Sequence, residues 1–232
     1  MPKQNVTCVN CKIRHLTLFA EVPESSFQDI DFIPTITRHR ANEVLIPQAS
    51  RVDAIYTIRE GIVKLETRLP AGTKRIVRLL KRGDTLGLQG WQVGTQPYEV
   101  VALNEVELCR IPYMALETLR QQSQALNQEL IARCCNDSQQ ADMWITHFST
   151  GPVTSRVAYL LSFLLEIQEL SQPETVRLLS REDMAAILGV RQESISRTVT
   201  QFKREGLLTH VKKDLYGVDK AGLKQKIQKK SA

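Results

Sequence analysis

The segment from residue 179 to residue 206 constrains the fold of this chain more than any other. Ser180 is a residue type that caps helices, and Asp183 is placed to reach back to its backbone N–H. Apolar residues at helical spacing follow and predict a first helix, which ends at Gly189, where a left-handed turn is needed. A second helix begins shortly after. Two short helices joined by a tight glycine turn predict a helix-turn-helix.

The second helix of this motif has a polar, basic face opposite its apolar face. Its apolar face is formed by Ile195, Val199 and Phe202. In the major groove, Arg bonds guanine through two N–H groups and Glu accepts from cytosine, so the polar face suits DNA. The candidate DNA-contacting residues of the motif are Ser180, Gln192, Glu193, Ser196 and Arg197. The alternative is an ordinary amphipathic helix pair.

The residues after the second helix predict a short β-hairpin. Two apolar runs flank the sequence Lys212-Lys213-Asp214, which forms the expected turn. A hairpin in this position is typical of winged helix-turn-helix domains. Its basic tip makes Lys212 and Lys213 candidate phosphate contacts.

The positive charge of the chain is concentrated towards its C-terminus. Of the net charge of +6, residues 1–150 contribute little, with 17 Lys and Arg against 16 Asp and Glu. Residues 151–232 hold 14 against 9. This asymmetry favours double-stranded DNA as a partner. The alternative is a basic solvated surface.

The composition indicates a globular protein. Hydrophobic residues make up 42% of the 232 positions, and the longest apolar runs are too short to cross a membrane. The N-terminus lacks the apolar stretch of a secretory signal. Five cysteines, an odd number, favour a reducing compartment over a disulfide framework. We therefore expect a cytoplasmic protein with no membrane partner.

Short β-forming runs punctuated by glycine dominate the first half of the chain. Residues 24–33 predict a short helix ahead of them. The predicted strands are Val44–Ile46, Ala54–Ile58, Ile62–Thr67, Ile76–Leu80, Val100–Ala102 and Val106–Ile111. Several short strands at this spacing predict a sandwich or barrel rather than a parallel sheet.

A long amphipathic segment runs from Pro112 to about Phe148 without internal glycine or proline. Its apolar spacing predicts a short helix followed by a long one. A matching helix from a second subunit would cover the stripe and form a homodimer, with a seam of Leu126, Leu130 and Ile145. The alternative is packing on the chain's own β domain. Two charged residues interrupt the seam, Arg133 and Asp137, and two cysteines are expected to pack on this helix, Cys134 and Cys135.

The order of these elements resembles the CRP/FNR superfamily of bacterial transcription regulators over nearly the whole chain. The most specific segment, residues 192–197, is similar to the Glu-x-x-Ser-Arg pattern of the FNR-type branch. In that branch the three residues read a TTGAT-like half-site, which implies these roles for Glu193, Ser196 and Arg197. The catabolite-activator branch has Arg before the Glu, where this chain has Gln192.

The resemblance implies an α+β fold in four parts. These are a Cys-containing leader (1–20), a β-roll sensor domain like cyclic-nucleotide-binding domains (21–111), a linker and long dimerisation helix (112–150), and a C-terminal winged helix-turn-helix DNA-binding domain (151–232).

Cyclic AMP is not expected as a ligand. Members that bind it carry Gly-Glu-Leu followed by Arg-Ser or Arg-Thr, and this Arg neutralises the cyclic phosphate. Here no Arg lies between Arg82 and Arg110. A buried phosphate without a cation would be costly.

Three cysteines give a hypothesis for a cofactor. Oxygen-sensing FNR proteins hold a [4Fe-4S] cluster, and the resemblance implies Cys8, Cys11 and Cys109 as ligand positions. The remaining cysteine is expected six residues after Cys11, where this chain has Thr17, whereas a cluster normally needs four ligands. The alternatives are a thiol redox pair at the CxxC motif and a small buried hydrophobe at Cys109. The sequence leaves the identity of any bound metal open.

The sequence carries no motif of an enzyme. It contains no glycine-rich phosphate loop, no HExxH and no Gly-x-Ser-x-Gly, and its four histidines are scattered. The rival to a plain DNA-binding regulator is an iron–sulfur or thiol redox sensor whose DNA binding is switched by oxygen. In relatives a β-roll loop contacts RNA polymerase, which implies such a role for the turn from Arg68 to Arg78. The effector, the target genes, and activation or repression are left open.

Overall fold

The computed structural model describes residues 8–27, 32–70, 72–168 and 170–228. The chain divides into two compact units. The first comprises residues 1–67 and 78–139, and the second comprises residues 68–77 and 140–232. No helix within the described ranges combines the length and apolar character needed to span a membrane.

Two four-stranded antiparallel sheets form the β-roll. One has the strand order β1-β8-β3-β6 and the other has the order β2-β7-β4-β5. The strands are β1 (Thr35–His39), β2 (Val44–Ile46), β3 (Ala54–Glu60), β4 (Val63–Arg68), β5 (Lys74–Leu80), β6 (Thr85–Leu86), β7 (Glu99–Ala102) and β8 (Val106–Pro112). All six predicted strands are therefore confirmed, while β1 and β6 are additional.

The turn between β3 and β4 requires glycine. Gly61 has a φ of +88°, and a Cβ at this position would collide with the backbone oxygen of Glu105. A short helix, α1 (Leu88–Val93), lies between β6 and β7.

The described leader is part of the β-roll core. It contains a short 3₁₀ turn at Arg14–Leu16. Its Leu18 and Phe19, with Val22 just after it, are buried in a cluster that includes Ile55, Cys109, Ile111, Leu116, Leu119 and Leu126. The leader is thereby packed against both the sheet and the helices that follow it.

The helix predicted over residues 24–33 is wrong in extent. The structure has one 3₁₀ turn, Glu24–Phe27, and residues 32–33 are not helical. Residues 28–31 lie outside the described ranges. The 3₁₀ turn reflects i→i+3 hydrogen bonding, which gives only short helical pieces.

Two helices follow β8, as the spacing predicts. These are α2 (Tyr113–Gln122) and the 21-residue α3 (Gln124–Trp144). A π-helical turn, Ile145–Ser149, ends the segment.

The second unit contains a three-stranded sheet with the order β10-β11-β9, packed with helices. Leucine-rich α4 supplies much of its core. Its elements are α4 (Val153–Ile167), β9 (Thr175–Arg177), α5 (Arg181–Leu188), α6 (Gln192–Arg204), β10 (Leu208–Lys212), β11 (Leu215–Val218) and α7 (Lys220–Gln228).

Candidate nucleic-acid interface and cysteine cluster

Helix α5 begins with the predicted cap. The Ser180 hydroxyl accepts from the Asp183 backbone N–H at 2.9 Å and donates to the Asp183 carboxylate at 2.8 Å. Because the cap uses the hydroxyl as both donor and acceptor, it holds the start of α5 in place.

The turn between α5 and α6 has the predicted left-handed glycine. Gly189 has a φ of +61°, and the next residue, Val190, donates its N–H to the Ala185 carbonyl at 3.2 Å. This closes the end of α5 before α6 begins at Gln192.

Helix α6 separates its buried and exposed residues on opposite faces. The buried side chains are Ile195, Thr198, Val199 and Phe202. The four residues of α6 predicted to contact DNA are all exposed, Gln192, Glu193, Ser196 and Arg197, as is Ser180 at the start of α5. Glu193 and Arg197 are four residues apart, so they lie on the same side of the helix.

Two further residues lie on the exposed face of α6 and were not predicted from the sequence. Arg191, the N-cap of α6, and Thr200 are both exposed. A basic residue at the start of the recognition helix was the available signal for Arg191.

The hairpin after α6 forms as predicted, with β10 and β11 antiparallel. Lys203 of α6 holds it, because its ammonium donates to the Tyr216 hydroxyl at 2.8 Å and lies 4.4 Å from the centre of that ring. At the tip, Asp214 forms an ion pair of 3.1 Å with Arg177. Lys212 and Lys213 are exposed beside it.

The first unit brings the three predicted cysteines to one small cavity of about 20 Å³. Cys8 and Cys11 are partly buried, and Cys109 on β8 is buried. The Cys11 N–H donates to the Cys8 carbonyl across 3.5 Å, so the CxxC motif forms a turn. Thr17, at the position expected for a fourth cysteine, lines the same cavity.

Two residues of β3 also line this cavity, and neither was predicted from the sequence. Arg59 donates to the Cys11 Sγ at 3.3 Å and to a Glu107 carboxylate oxygen at 2.7 Å. Thr57 is only 3% exposed, and its hydroxyl has no hydrogen-bond partner among the described residues. The signal available for both was the placement of polar residues in an otherwise apolar strand.

The environment affects the cysteines unequally. Burial, reinforced by the neighbouring Cys109 and Cys11, raises the pKa of Cys8 to about 12. Burial likewise raises the pKa of Cys109 to about 11. Cys11 is the thiol that receives the hydrogen bond from the Arg59 guanidinium. Reactive cysteines lie in electropositive, partly exposed surroundings, so Cys11 is the nucleophile that this contact favours.

The arrangement does not fit a four-cysteine iron–sulfur cluster. Three thiols are present, and the fourth position, Thr17, offers a hydroxyl where clusters use thiolate ligands. The cavity of about 20 Å³ holds about one water-sized molecule. Within the described ranges, no group of three or more His, Cys, Asp or Glu is arranged to hold a metal ion.

The predicted dimer seam on α3 needs correction. Leu126 is fully buried in the core of its own unit, and Leu130 packs against that core. The residues expected to interrupt the seam instead bind this same unit: Asp137 pairs with Arg78 at 2.7 Å, and Arg133 donates to the Leu16 carbonyl at 2.9 Å.

Two apolar side chains are exposed on α3 and on the π-helical turn that follows it, and one of them belongs to the predicted seam. Ile131 is 66% exposed and Ile145 is 60% exposed, so Ile145 remains available to a partner. Cys134 and Cys135 are also exposed in the single chain, so the packing expected for them stays a prediction about a partner. The apolar periodicity of the sequence located these residues, but it did not indicate which of them the β-roll would cover.

Comparison with known proteins gives two domain matches, one in the N-terminal half of the chain and one in the C-terminal half. Residues 36–123 match the family model of the cyclic nucleotide-binding domain. Residues 155–226 match that of the Crp-like helix-turn-helix domain.

Several similar proteins are transcription regulators. The transcriptional activator protein FnrL of Cereibacter sphaeroides is 26% identical over 208 residues, covering 87% of this chain and 83% of that protein. The transcriptional activator protein Anr of Pseudomonas aeruginosa is 23% identical over 219 residues, covering 91% and 88%.

Solved structures share the fold. FixK2 from Bradyrhizobium japonicum has a TM-score of 0.75 at 19% identity, covering 84% of this chain and 97% of that one. A transcriptional regulator of the CRP family from Thermus thermophilus has a TM-score of 0.72 at 20% identity, covering 84% and 98%. The two domain matches and the transcription-regulator relatives identify the chain as a member of the CRP/FNR superfamily of transcription regulators, and the relatives named above are regulators of the FNR type.

Proposed function

We propose that this protein binds a palindromic, TTGAT-like DNA site as a homodimer and that its N-terminal domain controls the binding. The observation that carries this proposal is the α6 surface, where Glu193, Ser196 and Arg197 are exposed while the opposite face is buried. Arg197 would donate to a guanine edge and Glu193 would accept from a cytosine. Lys212, Lys213 and Arg191 would bind phosphate, which positions the helix without reading sequence.

A homodimer is supported by the exposed face of α3. Ile131 lines a surface hollow together with Trp91, Arg120 and Leu130. A second copy of α3 would cover Ile131 and fill this hollow. Because the two copies would be related by a two-fold axis, their α6 helices would enter major grooves about 34 Å apart.

The test is a binding titration with the reduced full-length chain. Three duplexes are compared: two TTGAT half-sites in inverted repeat, one half-site with the other scrambled, and both scrambled. We expect the palindrome to bind about 10³-fold or more tightly than the fully scrambled duplex. Adding half a helical turn between the half-sites should abolish that advantage. Equal affinity for all duplexes would refute the proposal.

Transcription activation is the regulatory outcome we propose, because the similar proteins FnrL and Anr are named as transcriptional activators. By the family resemblance, the turn from Arg68 to Arg78 would contact RNA polymerase. In vitro transcription with a substitution in this turn should lose activation while operator binding is retained.

A second candidate function, redox sensing, is favoured by the cavity that Cys8, Cys11 and Cys109 share. The leader beside it is bound to α3, since Arg133 donates to the Leu16 carbonyl at 2.9 Å. A chemical change at the cysteines would therefore act on the helix proposed to form the dimer. Comparing operator affinity of reduced and oxidised protein tests this function.

A further inference from the structure

The cysteine cavity has the features of a reaction site for a small oxidant rather than a cluster site. It holds about one water-sized molecule, at about 20 Å³. One wall carries the Thr57 hydroxyl, which is buried and has no hydrogen-bond partner among the described residues. A buried hydroxyl without a partner costs free energy unless a ligand or water binds it.

Cys11 is the one of the three thiols that also lines a surface hollow. That hollow is bordered by Arg14, His15 and residues 20–24, and Cys11 lines both this hollow and the cysteine cavity. The guanidinium of Arg59 donates to the Cys11 Sγ at 3.3 Å and gives Cys11 the electropositive surroundings of a reactive cysteine.

We propose that this cavity is a binding and modification site for hydrogen peroxide, with Cys11 as the reacting thiol and Cys8 as the thiol that completes a disulfide. Thr57 would donate a hydrogen bond to a peroxide oxygen, and Arg59 would stabilise the Cys11 thiolate. Cys8 is assigned as the second thiol because it shares the CxxC turn with Cys11. Cys109 is fixed within β8, between its pairing partners Ile36 and Thr57, and stays reduced.

The chemistry balances in two steps. The Cys11 thiolate attacks one peroxide oxygen, the O–O bond breaks, and Cys11 becomes a sulfenic acid while hydroxide leaves and is protonated to water. The Cys8 sulfur, losing its proton, then attacks the Cys11 sulfur; the S–O bond breaks and a second water leaves. Two thiols are oxidised to one disulfide as hydrogen peroxide is reduced to two waters. An external dithiol would reverse the reaction.

The consequence for DNA binding rests on the proposed function. Leu18 and Phe19 of the leader share a buried cluster with Leu116, Leu119 and Leu126 of α2 and α3. A disulfide in the CxxC turn would alter the start of this leader. We expect oxidation to change operator affinity by at least about fivefold, the lower end of typical coupling between sites.

The experiment treats the full-length reduced protein with equimolar hydrogen peroxide, followed by alkylation and peptide mass spectrometry. We expect a Cys8–Cys11 disulfide, with the exposed Cys134 and Cys135 still alkylated. In Cys8→Ser, a sulfenic-acid trap should label Cys11. Oxidation of Cys134 or Cys135 before Cys11 would overturn the proposal, as would a disulfide that uses Cys109.

Three variants test the wall residues. Arg59→Gln should slow the peroxide reaction about tenfold, because it removes the hydrogen bond to the Cys11 sulfur. Glu107→Gln is its matched control, since it removes the charge of the other Arg59 partner and keeps the guanidinium. Thr57→Val has nearly the same shape, and should lower the peroxide rate without changing alkylation of Cys11 by iodoacetamide. Equal peroxide rates in the wild type and Thr57→Val would refute the binding role of the hydroxyl.

Two outcomes separate this inference from the proposed function. Reduced protein that binds the palindrome but forms no Cys8–Cys11 disulfide would refute the peroxide site and leave the proposed function intact. Stoichiometric iron and sulfide in protein purified without oxygen would also overturn the peroxide site, since the thiols would then be cluster ligands. Complete oxidation without any change in operator affinity would refute the regulatory consequence.

Discussion

Substituting Ile131 by Glu tests whether the exposed face of α3 forms the dimer. Ile131 is 66% exposed in the single chain, so about two thirds of its side chain is available for burial by a partner. Full burial of an Ile side chain is worth about 1.5–3 kcal/mol, so this fraction contributes about 1–2 kcal/mol per subunit. Two-fold symmetry doubles the loss to about 2–4 kcal/mol. Two carboxylates forced into the interface add to it.

Sedimentation equilibrium should therefore show a dimer dissociation constant for Ile131→Glu at least about 30- to 1000-fold higher than wild type. Circular dichroism should be unchanged, because an exposed residue can become charged without disturbing the folded monomer. Met114→Glu is the matched control: Met114 is 84% exposed on α2, and its substitution should leave the dimer intact. A folded Ile131→Glu protein with the wild-type dissociation constant would refute the proposed interface.

Three further predictions concern the core, the helix cap and the ligand. Leu126→Ala should lower the free energy of unfolding by about 2–5 kcal/mol in urea titrations, because Leu126 is fully buried; a loss below about 0.5 kcal/mol would place it outside the core. Ser180→Ala should cost about 1 kcal/mol, and Ser180→Thr much less, since only the hydroxyl caps α5; equal losses would argue against the cap. Cyclic AMP should give no binding heat in calorimetry and leave operator affinity unchanged, and measurable saturable binding would contradict this.

The helix-turn-helix could be predicted because its signals are local. Ser180 caps the helix that begins beside it, and Gly189 adopts the left-handed turn at the point where that helix ends. The apolar spacing of α6 likewise depends only on residues within one helix. Local signals also located the six predicted strands.

Other features depend on contacts between distant residues. The strand β1 (Thr35–His39) was missed because its polar sequence lacks a clear apolar alternation, and its place in the sheet is set by pairing with β8. Leu126 and Ile131 both belong to the apolar residues of α3, and only the packed structure distinguishes the core residue from the exposed one.

The cysteine cluster illustrates both situations. The family resemblance pointed to Cys8, Cys11 and Cys109, which the structure places around one cavity. It could not indicate Arg59, because its hydrogen bond to Cys11 joins residues 48 positions apart. The missing fourth cysteine, by contrast, was visible in the sequence, and the small cavity is consistent with that absence.

The most direct measurement of the central claim is the affinity of Arg197→Ala for the palindromic site and for random DNA, across a range of salt concentrations. Loss of a base-reading contact should cost about 1–3 kcal/mol on the palindrome and much less on random DNA. Lys213→Ala, which would remove a phosphate contact, should weaken binding to both duplexes alike and reduce the salt dependence. Equal losses by Arg197→Ala on both duplexes would contradict the assignment of α6 as a sequence-reading helix.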